Sequence, residues 1–377
     1  MCYTKSMTSF KLPRTLCLGG RDGIRSLCIG GKEAVTLQTM WKKPIKDICA
    51  TSPLLDQTVR ELNTLKSLGC DIVRFAVPDT ESALALRLIQ AKTDMPLVAD
   101  IHFDYKLALS CLDETKDGVA VSAIRINPGN IGSQDKVKAV VDACKKQKAA
   151  IRIGVNSGSL PKDLAQKVEE GSLDRAQALS QTALREVQVL EALDFKNVVV
   201  SMKASSVAET IAANEAFAKV CDIPLHIGVT EAGPLITGIV KSTLAFSHLL
   251  KEGIGSTIRV SLSSSEENEV IAGREILHEC GLRKGGVTLV SCPRCGRMGF
   301  DVHSFMQRWQ NELLSLKKDV TIAVMGCVVN GPGEGKHADL GIAGGGDSVI
   351  LFRKGKIIRT IPAKDADTEF RKELELL

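Results

Sequence analysis

The sequence lacks the features of a membrane protein and of a nucleic-acid-binding protein. No apolar run reaches the ~18 residues that a spanning helix needs, and residues 1–32 contain no continuous apolar segment before a signal-peptidase motif. Aromatic residues make up only 4% of the chain, and no basic run accompanies the net charge of +5. We therefore expect a cytoplasmic protein with no membrane and no nucleic-acid partner.

The rest of the composition is that of a globular protein that folds without disulfides. A chain of 377 residues fits a barrel of roughly 250 residues and a small second domain. Twelve cysteines are present, and nine of them stand singly in periodic segments, Cys70, Cys111, Cys144 and Cys221 among them. This pattern predicts reduced thiols in the core.

Eight short apolar segments alternate with segments of helical period, which is typical of repeated β–α units and a parallel sheet. Eight strands close a barrel. A doubly wound open sheet would normally carry a glycine-rich loop after its first strand, whereas WKKP (41–44) follows here. The sequence predicts a (β/α)8 TIM barrel over residues 35–282. The predicted strands are 35–40, 71–77, 96–103, 123–128, 149–156, 198–205, 224–230 and 256–263.

A small α+β domain is predicted over residues 283–377, and residues 1–34 are an N-terminal extension that leads into the barrel. The pattern of the second domain consists of a strand at 286–290, a helix at 302–316, a strand at 320–325 and a hairpin of 348–352 with 356–361. A glycine-rich segment, 326–346, lies between the second strand and the hairpin.

Cationic side chains recur on the predicted barrel strands, on the face opposite the isoleucines and valines. An unpaired buried cation is costly, and two acids, Asp100 and Glu231, cannot neutralise five cations. Because barrel active sites lie at the C-terminal ends of the strands, we expect an anionic ligand there, and guanidinium groups favour phosphate oxygens. The five cations are Arg74, Arg125, Arg152, Lys203 and Arg259.

Three cysteines stand apart from the others. Cys292 and Cys295 form a C-x-x-C pair, which zinc sites, redox pairs and clusters all use, and Cys327 follows downstream. A zinc ribbon would need a second such pair or two histidines, and a thioredoxin-like pair needs no third cysteine. Three thiolates suit an iron–sulfur cluster, and Glu334, on a Gly/Pro turn, offers a displaceable oxygen ligand.

Ordered motifs from about residue 35 to about residue 345 resemble the iron–sulfur 4-hydroxy-3-methylbut-2-enyl diphosphate synthases of the methylerythritol phosphate pathway, in their bacterial two-domain form. The WKKP loop departs from the threonine-rich loop of that family. The motifs are VADIHFDY (98–105), RINPGNIG (125–132), RIGVN (152–156), TEAG (230–233), RVSL (259–262), CPRC (292–295) and CVVNGPGE (327–334).

The resemblance implies a substrate, 2-C-methyl-D-erythritol 2,4-cyclodiphosphate, and two electrons from flavodoxin or ferredoxin. It implies a [4Fe–4S] cluster on Cys292, Cys295 and Cys327 with Glu334 as exchangeable fourth ligand, and Glu231 as the proton donor. The residues implied to hold the diphosphate are Arg74, Arg125, Arg152, Lys203, Arg259 and Ser261, with Asp100, Asn127, Asn156, Thr230 and Asn330 nearby.

Barrel geometry predicts a homodimer with shared active sites. The eighth helix returns the chain to the face opposite the strand C-termini and, at 1.5 Å per residue, carries it roughly 20–25 Å from the mouth. The cluster of another copy should therefore cap each barrel. Two alternatives are a pterin-type barrel methyltransferase with a structural zinc domain and a non-catalytic metal-binding module.

Overall fold

The structure is a computed structural model that describes residues 10–377 except 114–116, 157, 159, 293–298 and 329–330, and it leaves the side chains of Pro128 and Glu334 undescribed. The chain divides into two compact units, one ending at Arg283 and the other running from Lys284 to Leu377. Within the described ranges, no helix combines the length and the apolarity that crossing a membrane requires.

The first unit is a closed parallel barrel of eight strands. The sheet order is β8-β7-β6-β5-β4-β3-β10-β9, and a parallel bridge from Val200 to Leu225 joins β8 to β9. The predicted TIM barrel is therefore confirmed, although β9 and β10 are much shorter than expected. The strands are β3 (Thr36–Met40), β4 (Ile72–Ala76), β5 (Leu97–His102), β6 (Ala123–Ile126), β7 (Ala150–Asn156), β8 (Val198–Lys203), β9 (His226–Ile227) and β10 (Thr257–Ile258).

Helices surround the barrel, and the first shows why they form where they do. It starts at Pro53 after Ser52, whose hydroxyl accepts from Leu54 N, and it ends at Gly69, which has φ 108°. Leu55, Leu62, Leu65 and Leu68 are its buried leucines. The helices are α1 (Pro53–Leu68), α2 (Thr80–Gln90), α3 (Tyr105–Leu112), α4 (Pro128–Ile131), α5 (Gln134–Lys146), α6 (Lys162–Glu169), α7 (Arg175–Ala192), α8 (Val207–Val220), α9 (Leu235–Lys251) and α10 (Glu266–Glu279).

An antiparallel hairpin of β1 (Leu16–Leu18) and β2 (Leu27–Ile29) closes the N-terminal end of the barrel. Leu16, Leu18 and Ile29 pack on the first residues of the barrel strands, among them Ile72 and Ala123. Sequence reasoning treated residues 1–34 only as a lead-in, because three-residue strands are too short to show a period. This hairpin extends the barrel core at the end opposite the cationic side chains.

The prediction of nine reduced core thiols is partly wrong. Cys17 and Cys28 form a disulfide because the hairpin register places them directly opposite each other, which sequence spacing does not reveal. Cys70, Cys111 and Cys144 are buried free thiols as expected, and burial raises the pKa of Cys70 and Cys111 to about 12. Cys49 is exposed, Cys221 and Cys280 are half-buried, and Cys2 lies outside the described residues.

The second unit is a five-stranded sheet with helices, in the order β11-β12-β13-β14-β15. The first three strands are parallel and the last two pairings are antiparallel. Phe305, Trp309 and Phe370 pack together on one face. The elements are β11 (Val287–Ser291), α11 (Val302–Ser315), β12 (Val320–Met325), α12 (Gly331–Glu334), β13 (Leu340–Gly344), β14 (Ser348–Arg353), β15 (Lys356–Pro362) and α13 (Ala366–Glu375).

The sequence did not reveal β13 as a strand. Gly341 and Gly344 lower its strand propensity, yet both are required by close packing. A Cβ on Gly341 would lie 2.1 Å from the Phe352 ring, and one on Gly344 would lie 2.1 Å from Phe300 Cβ. Phe352 and Phe300 therefore leave room only for glycine at these two positions of β13.

Candidate functional site at the barrel mouth and the cysteine edge

The five cations predicted from sequence converge on the interior of the barrel. Arg74, Arg125, Arg152 and Lys203 lie on β4, β6, β7 and β8, and Arg259 directly follows β10. Arg125, Arg152 and Lys203 are less than a tenth exposed. The isoleucines between them, such as Ile124 and Ile153, are fully buried, as expected for the face that meets the helices.

Asp100 on β5 is the carboxylate between two of these arginines. Its Oδ1 lies 3.2 Å from Arg125 Nη1, and its Oδ2 lies 3.5 Å from Arg74 Nε. Burial alone would raise the pKa of Asp100, but Arg74 and Arg125 outweigh burial and hold that pKa below its usual value. Asp100 is therefore ionised and orients both guanidinium groups.

Arg152 is held by an amide on the first barrel strand. Its Nη1 donates to Gln38 Oε1 at 2.7 Å, whereas Arg152 Nη2 and Gln38 Nε2 are buried donors with no hydrogen-bond partner in the described part of the chain. Burial and the neighbouring Arg74 lower the pKa of Arg152 well below its usual value. Unpartnered buried donors beside excess positive charge are suited to an anionic ligand.

Lys203 contacts a histidine that the predicted site did not include. Lys203 Nζ lies 3.2 Å from His226 Nε2, and His226 Nδ1 lies 3.3 Å from Thr257 Oγ1. Burial, followed by Lys203 itself, lowers the pKa of His226 well below 6.5. The imidazole is therefore neutral, and its Nε2 can accept a hydrogen bond from Lys203 Nζ. The period-two pattern of β9 already placed His226 on this face and could have identified it.

Two glycines make room for the long side chains. A Cβ on Gly154 would lie 2.2 Å from Arg125 Nε, and one on Gly228 would lie 2.9 Å from Lys203 Nζ. Both glycines share the inward strand face with the cations. Any side chain at either position would displace a charged group from the mouth.

The remaining predicted residues surround this cluster at different depths. Asn127 is buried at the end of β6, and its Oδ1 has no hydrogen-bond partner among the described residues. Thr230 and Ser261 are half-buried, and Asn156 is exposed at the end of β7. Glu231 is exposed and has φ 50°, a left-handed conformation that is strained for a glutamate and that clusters at functional sites.

One sequence expectation about the acids needs correction. Glu231 was expected to be a possible internal partner of the cations, but the second carboxylate among them is Glu269 of α10, with Oε1 3.1 Å from Arg259 Nη2. Sequence reasoning missed Glu269 because it searched the strands. Two acids still face five cations, so the argument for an anionic ligand is unchanged.

In the second unit, two of the predicted cluster ligands lie at the same edge of the sheet. Cys292 follows β11 and donates its N–H to Val324 O at 3.2 Å, and the buried Cys327 comes two residues after β12. Cys295, Asn330 and the side chain of Glu334 lie outside the described residues. Within the described ranges, no group of three His, Cys, Asp or Glu side chains is gathered for a metal ion.

We call the sheet edge that carries Cys292 and Cys327 the cysteine edge. Its chemistry fits an iron–sulfur group. Gly326 N donates to Cys292 Sγ at 2.9 Å, and backbone hydrogen bonds to sulfur are one of the features that tune such clusters. Parallel strands bring Cys292 and Cys327 together at their C-terminal ends. Soft thiolates with backbone donors suit iron, and α12 carries the chain onward from Cys327 to Glu334.

Comparison with known proteins covers both units. The GcpE TIM-barrel domain matches residues 23–274, and the GcpE protein C-terminal domain matches residues 288–376. The protein named 4-hydroxy-3-methylbut-2-en-1-yl diphosphate synthase (flavodoxin) of Treponema denticola is 57% identical, over 96% of this chain and 96% of that protein. Its namesake from Treponema pallidum is 56% identical over 97% and 92% of the two chains.

A further relative of the same name, from Clostridium perfringens, is 46% identical over 91% of this chain and 94% of that protein. Among solved structures, a dihydropteroate synthase of Xanthomonas albilineans aligns at 11% identity and TM-score 0.45, over 67% of this chain and 93% of that one. A likeness that distant has no bearing on activity. With both of its units matched and its relatives alike along almost their whole length, the chain belongs to the GcpE family.

Proposed function

We propose that this protein converts 2-C-methyl-D-erythritol 2,4-cyclodiphosphate to 4-hydroxy-3-methylbut-2-enyl diphosphate by reductive ring opening and dehydration. The observation that carries the proposal is the excess of cations at the barrel mouth, five against two carboxylates, with Arg125, Arg152 and Lys203 buried. Two unpartnered donors, Arg152 Nη2 and Gln38 Nε2, add to this excess among the described residues. A diphosphate supplies the missing negative charge.

Arginine forks and the Lys203 ammonium would hold the diphosphate, since guanidinium groups bind phosphate oxygens bidentately. Arg74, Arg125, Arg152, Lys203, Arg259 and Ser261 form this proposed cradle, and Asp100, Asn127, Asn156, Thr230 and Asn330 are proposed neighbours. Asp100 orients two of the arginines rather than touching phosphate itself, because a carboxylate repels that group.

Glu231 is the proposed proton donor to the oxygen that leaves during dehydration. It follows Thr230, whose N–H donates to Ala204 O at 3.0 Å, so the end of β9 is anchored to the end of β8 beside Lys203. Its side chain is exposed. A carboxylic acid at this position can deliver a proton only in its neutral form.

We propose that Cys292, Cys295 and Cys327 hold a [4Fe–4S] cluster with Glu334 as displaceable fourth ligand. When bound, the cluster would pass to the substrate the two electrons of the reaction, which the reduced donor protein delivers one at a time. Gly326 N–H would stabilise the Cys292 thiolate through its 2.9 Å bond. The relatives named above are described as flavodoxin-dependent, so flavodoxin is the electron donor we favour over ferredoxin. A cytoplasmic location remains a prediction.

We further propose that two copies share each active site. Arg283, the last residue of the barrel unit, donates to Gly69 O and to Asp71 Oδ2, both at 2.8 Å. Gly69 and Asp71 precede β4, so the chain leaves the barrel at the N-terminal ends of its strands. The cations lie at the C-terminal ends. This supports a twofold dimer in which the cysteine edge of one copy serves the barrel of the other.

The outer face of α9 supports contact between barrels. Ile236, Val240 and Leu244 succeed one another by one helical turn and are 78%, 52% and 57% exposed. The helix begins four residues after Glu231, next to the mouth. Two copies of an uncharged face can pack together without burying a charge, which suits a twofold interface. Ile236→Glu should therefore yield monomers in sedimentation analysis.

Anaerobically purified protein tests the function. We expect a brown sample with about four iron and four sulfide per chain, as the family's cluster requires, and turnover of the cyclodiphosphate with reduced flavodoxin. A colourless protein with one zinc would instead support a structural zinc domain. The pterin-type methyltransferase alternative is not favoured, because the relatives described above are all diphosphate synthases.

Subunit exchange tests the shared site. A Cys327→Ser variant should be inactive, and a Lys203→Ala variant should lose most of its activity at limiting substrate because it binds weakly. Mixing the two should restore activity in heterodimers, where one complete site forms. If native mass measurement confirms exchange and no activity returns, each cluster serves its own barrel and the shared-site dimer is wrong.

A further inference from the structure

The barrel closes weakly where its last strand meets its first. β10 and β3 pair through only two residue pairs, Thr257 with Thr36 and Ile258 with Leu37. Beyond Ile258, towards the mouth, the described residues show no further pairing between the two segments. Arg259 and Ser261 lie on this stretch. The Arg259 N–H donates to Ile227 O of β9 at 3.1 Å, but no strand pairing among the described residues joins the stretch to β3.

We call the place where β10 meets β3 the seam. A single carboxylate bridges its two sides. Glu269, on the first turn of α10, is fully buried. Its Oε2 accepts from Thr39 Oγ1 at 2.7 Å on the β3 side, and its Oε1 accepts from Leu262 N at 3.0 Å on the β10 side. Arg259 reaches both oxygens, with Nη2 3.1 Å from Oε1 and Nε 3.4 Å from Oε2.

The loop after β3 is tied to the same group. Lys42 Nζ lies 3.1 Å from Glu269 Oε1 and also donates to Leu262 O at 3.1 Å and to Ser264 O. Lys42 belongs to the WKKP loop (41–44). Two cations and two neutral donors therefore converge on one buried carboxylate, from both sides of the seam.

We propose that Glu269 is a positioning residue for diphosphate binding: it aims the Arg259 guanidinium and holds the segment with Ser261 against the first barrel strand. This inference rests on the proposed function and deepens it. Glu269 touches no substrate in this account. Its hydrogen bonds join β3 to the segment after β10, where backbone pairing between the two ends at Ile258. Because it is charged, it also holds the Arg259 guanidinium in one orientation.

Electrostatics and positioning predict opposite outcomes for Glu269→Gln. Removing a negative charge beside five cations makes the mouth more positive, which by itself would tighten binding of an anion. Loss of the charge-assisted contacts instead frees Arg259 and Lys42 and should weaken binding. We expect Glu269→Gln to lower affinity for the cyclodiphosphate by roughly tenfold or more, with iron and sulfide content unchanged.

The matched control is Glu373→Gln in the second unit. Glu373 is also a buried carboxylate held by two arginines, with Arg353 at 3.0 Å and Arg359 at 3.3 Å. Both variants should lower Tm, because each breaks a buried ion pair, but only Glu269→Gln should weaken substrate binding measured by calorimetry well below Tm. Unchanged or tighter binding in Glu269→Gln would overturn the proposal.

A double-mutant cycle shows whether Glu269 acts through Arg259. Arg259→Lys and Glu269→Gln should each weaken binding, and the double variant should lose less than the sum of the two single losses. Full additivity would mean that Glu269 acts elsewhere. Inorganic pyrophosphate serves as a second probe: if the wild type binds pyrophosphate but not the cyclodiphosphate, the proposed substrate is wrong while the positioning role is still measured.

Discussion

The barrel mouth and the cysteine edge differ in the role that their glycines have. At the mouth, long cationic side chains converge, and Gly154 and Gly228 are there to leave them space. At the cysteine edge, glycines bring the backbone segments themselves together: Gly299 N donates to Gly326 O at 2.8 Å, and Gly346 N donates to Gly299 O at 3.2 Å. In the proposed function, charges on side chains hold an anion, whereas thiolates and backbone donors hold a cluster.

Substitutions at the two sites should therefore have different effects on ligand binding. The mouth distributes binding over several strands, so one lost cation weakens it without destroying it. A cluster depends on a minimal set of soft ligands, so one lost ligand removes it altogether. Variants at one site should leave the other site measurable.

The largest effect should come from Cys327→Ser. A hard hydroxyl does not replace a soft thiolate on iron, so we expect loss of iron, sulfide and all turnover. Calorimetric binding of the cyclodiphosphate to the barrel should persist at reduced affinity if the partner cluster adds contacts. Cys49→Ser, an exposed thiol, is the control. Full iron content in Cys327→Ser would reject the ligand assignment.

Glu231→Gln should come next. An amide cannot donate the proton, so kcat should fall about 10²- to 10⁴-fold, while substrate affinity and cluster content stay close to the wild-type values. Single-turnover kinetics with reduced flavodoxin would show the loss in the chemical step. A variant with normal kcat would place the proton donor elsewhere.

Arg152→Ala should affect the mouth alone. It removes a charge-assisted contact worth roughly 1.5–3 kcal/mol, which is about ten- to hundredfold in affinity. Iron content should be unchanged, which calorimetry and iron analysis on the same sample would establish. Arg185→Ala removes an exposed arginine paired with Asp163 on the barrel surface and should bind like the wild type.

The smallest effect is a pH dependence of binding. Burial, followed by Arg74, Arg259, Arg152 and Arg125, lowers the pKa of Lys203 well below 10.5 in the ligand-free chain. A bound diphosphate raises that pKa again, so binding takes up a proton in the interval between the two values. Affinity should therefore fall as pH rises through this interval, by up to about tenfold per pH unit.

Lys203→Met is the variant that isolates this effect. It should bind more weakly at every pH and lose the proton uptake, which calorimetry in buffers of different ionisation enthalpy detects. His226 does not confound the measurement, because its lowered pKa keeps it neutral at and above pH 7. A slope that survives in Lys203→Met would assign the proton to another group.

Much of the fold could be predicted from the sequence because the spacing of apolar residues indicates which side of each element is buried. The β3 to β8 strands fall within their predicted ranges because the alternation of apolar and polar residues, clearest as isoleucine and arginine on β6 and β7, indicates which face meets the helices. β9 and β10 were predicted too long, since Gly228 and the stretch after Ile258 look like strand in sequence but lack a paired neighbour. The cations Arg125, Arg152 and Lys203 were found for the same reason that the strands were.

The sequence by itself determined the (β/α)8 barrel, the cationic face of its strands and the family, because these depend on patterns and motifs within short segments. Only the tertiary structure decided that His226 meets Lys203, that Glu269 bridges the seam from a helix and that Cys17 faces Cys28. Each of these contacts joins residues far apart in the chain or depends on strand register. Local residue pattern carries no record of such distances, since they are decided only when the barrel closes and its core packs.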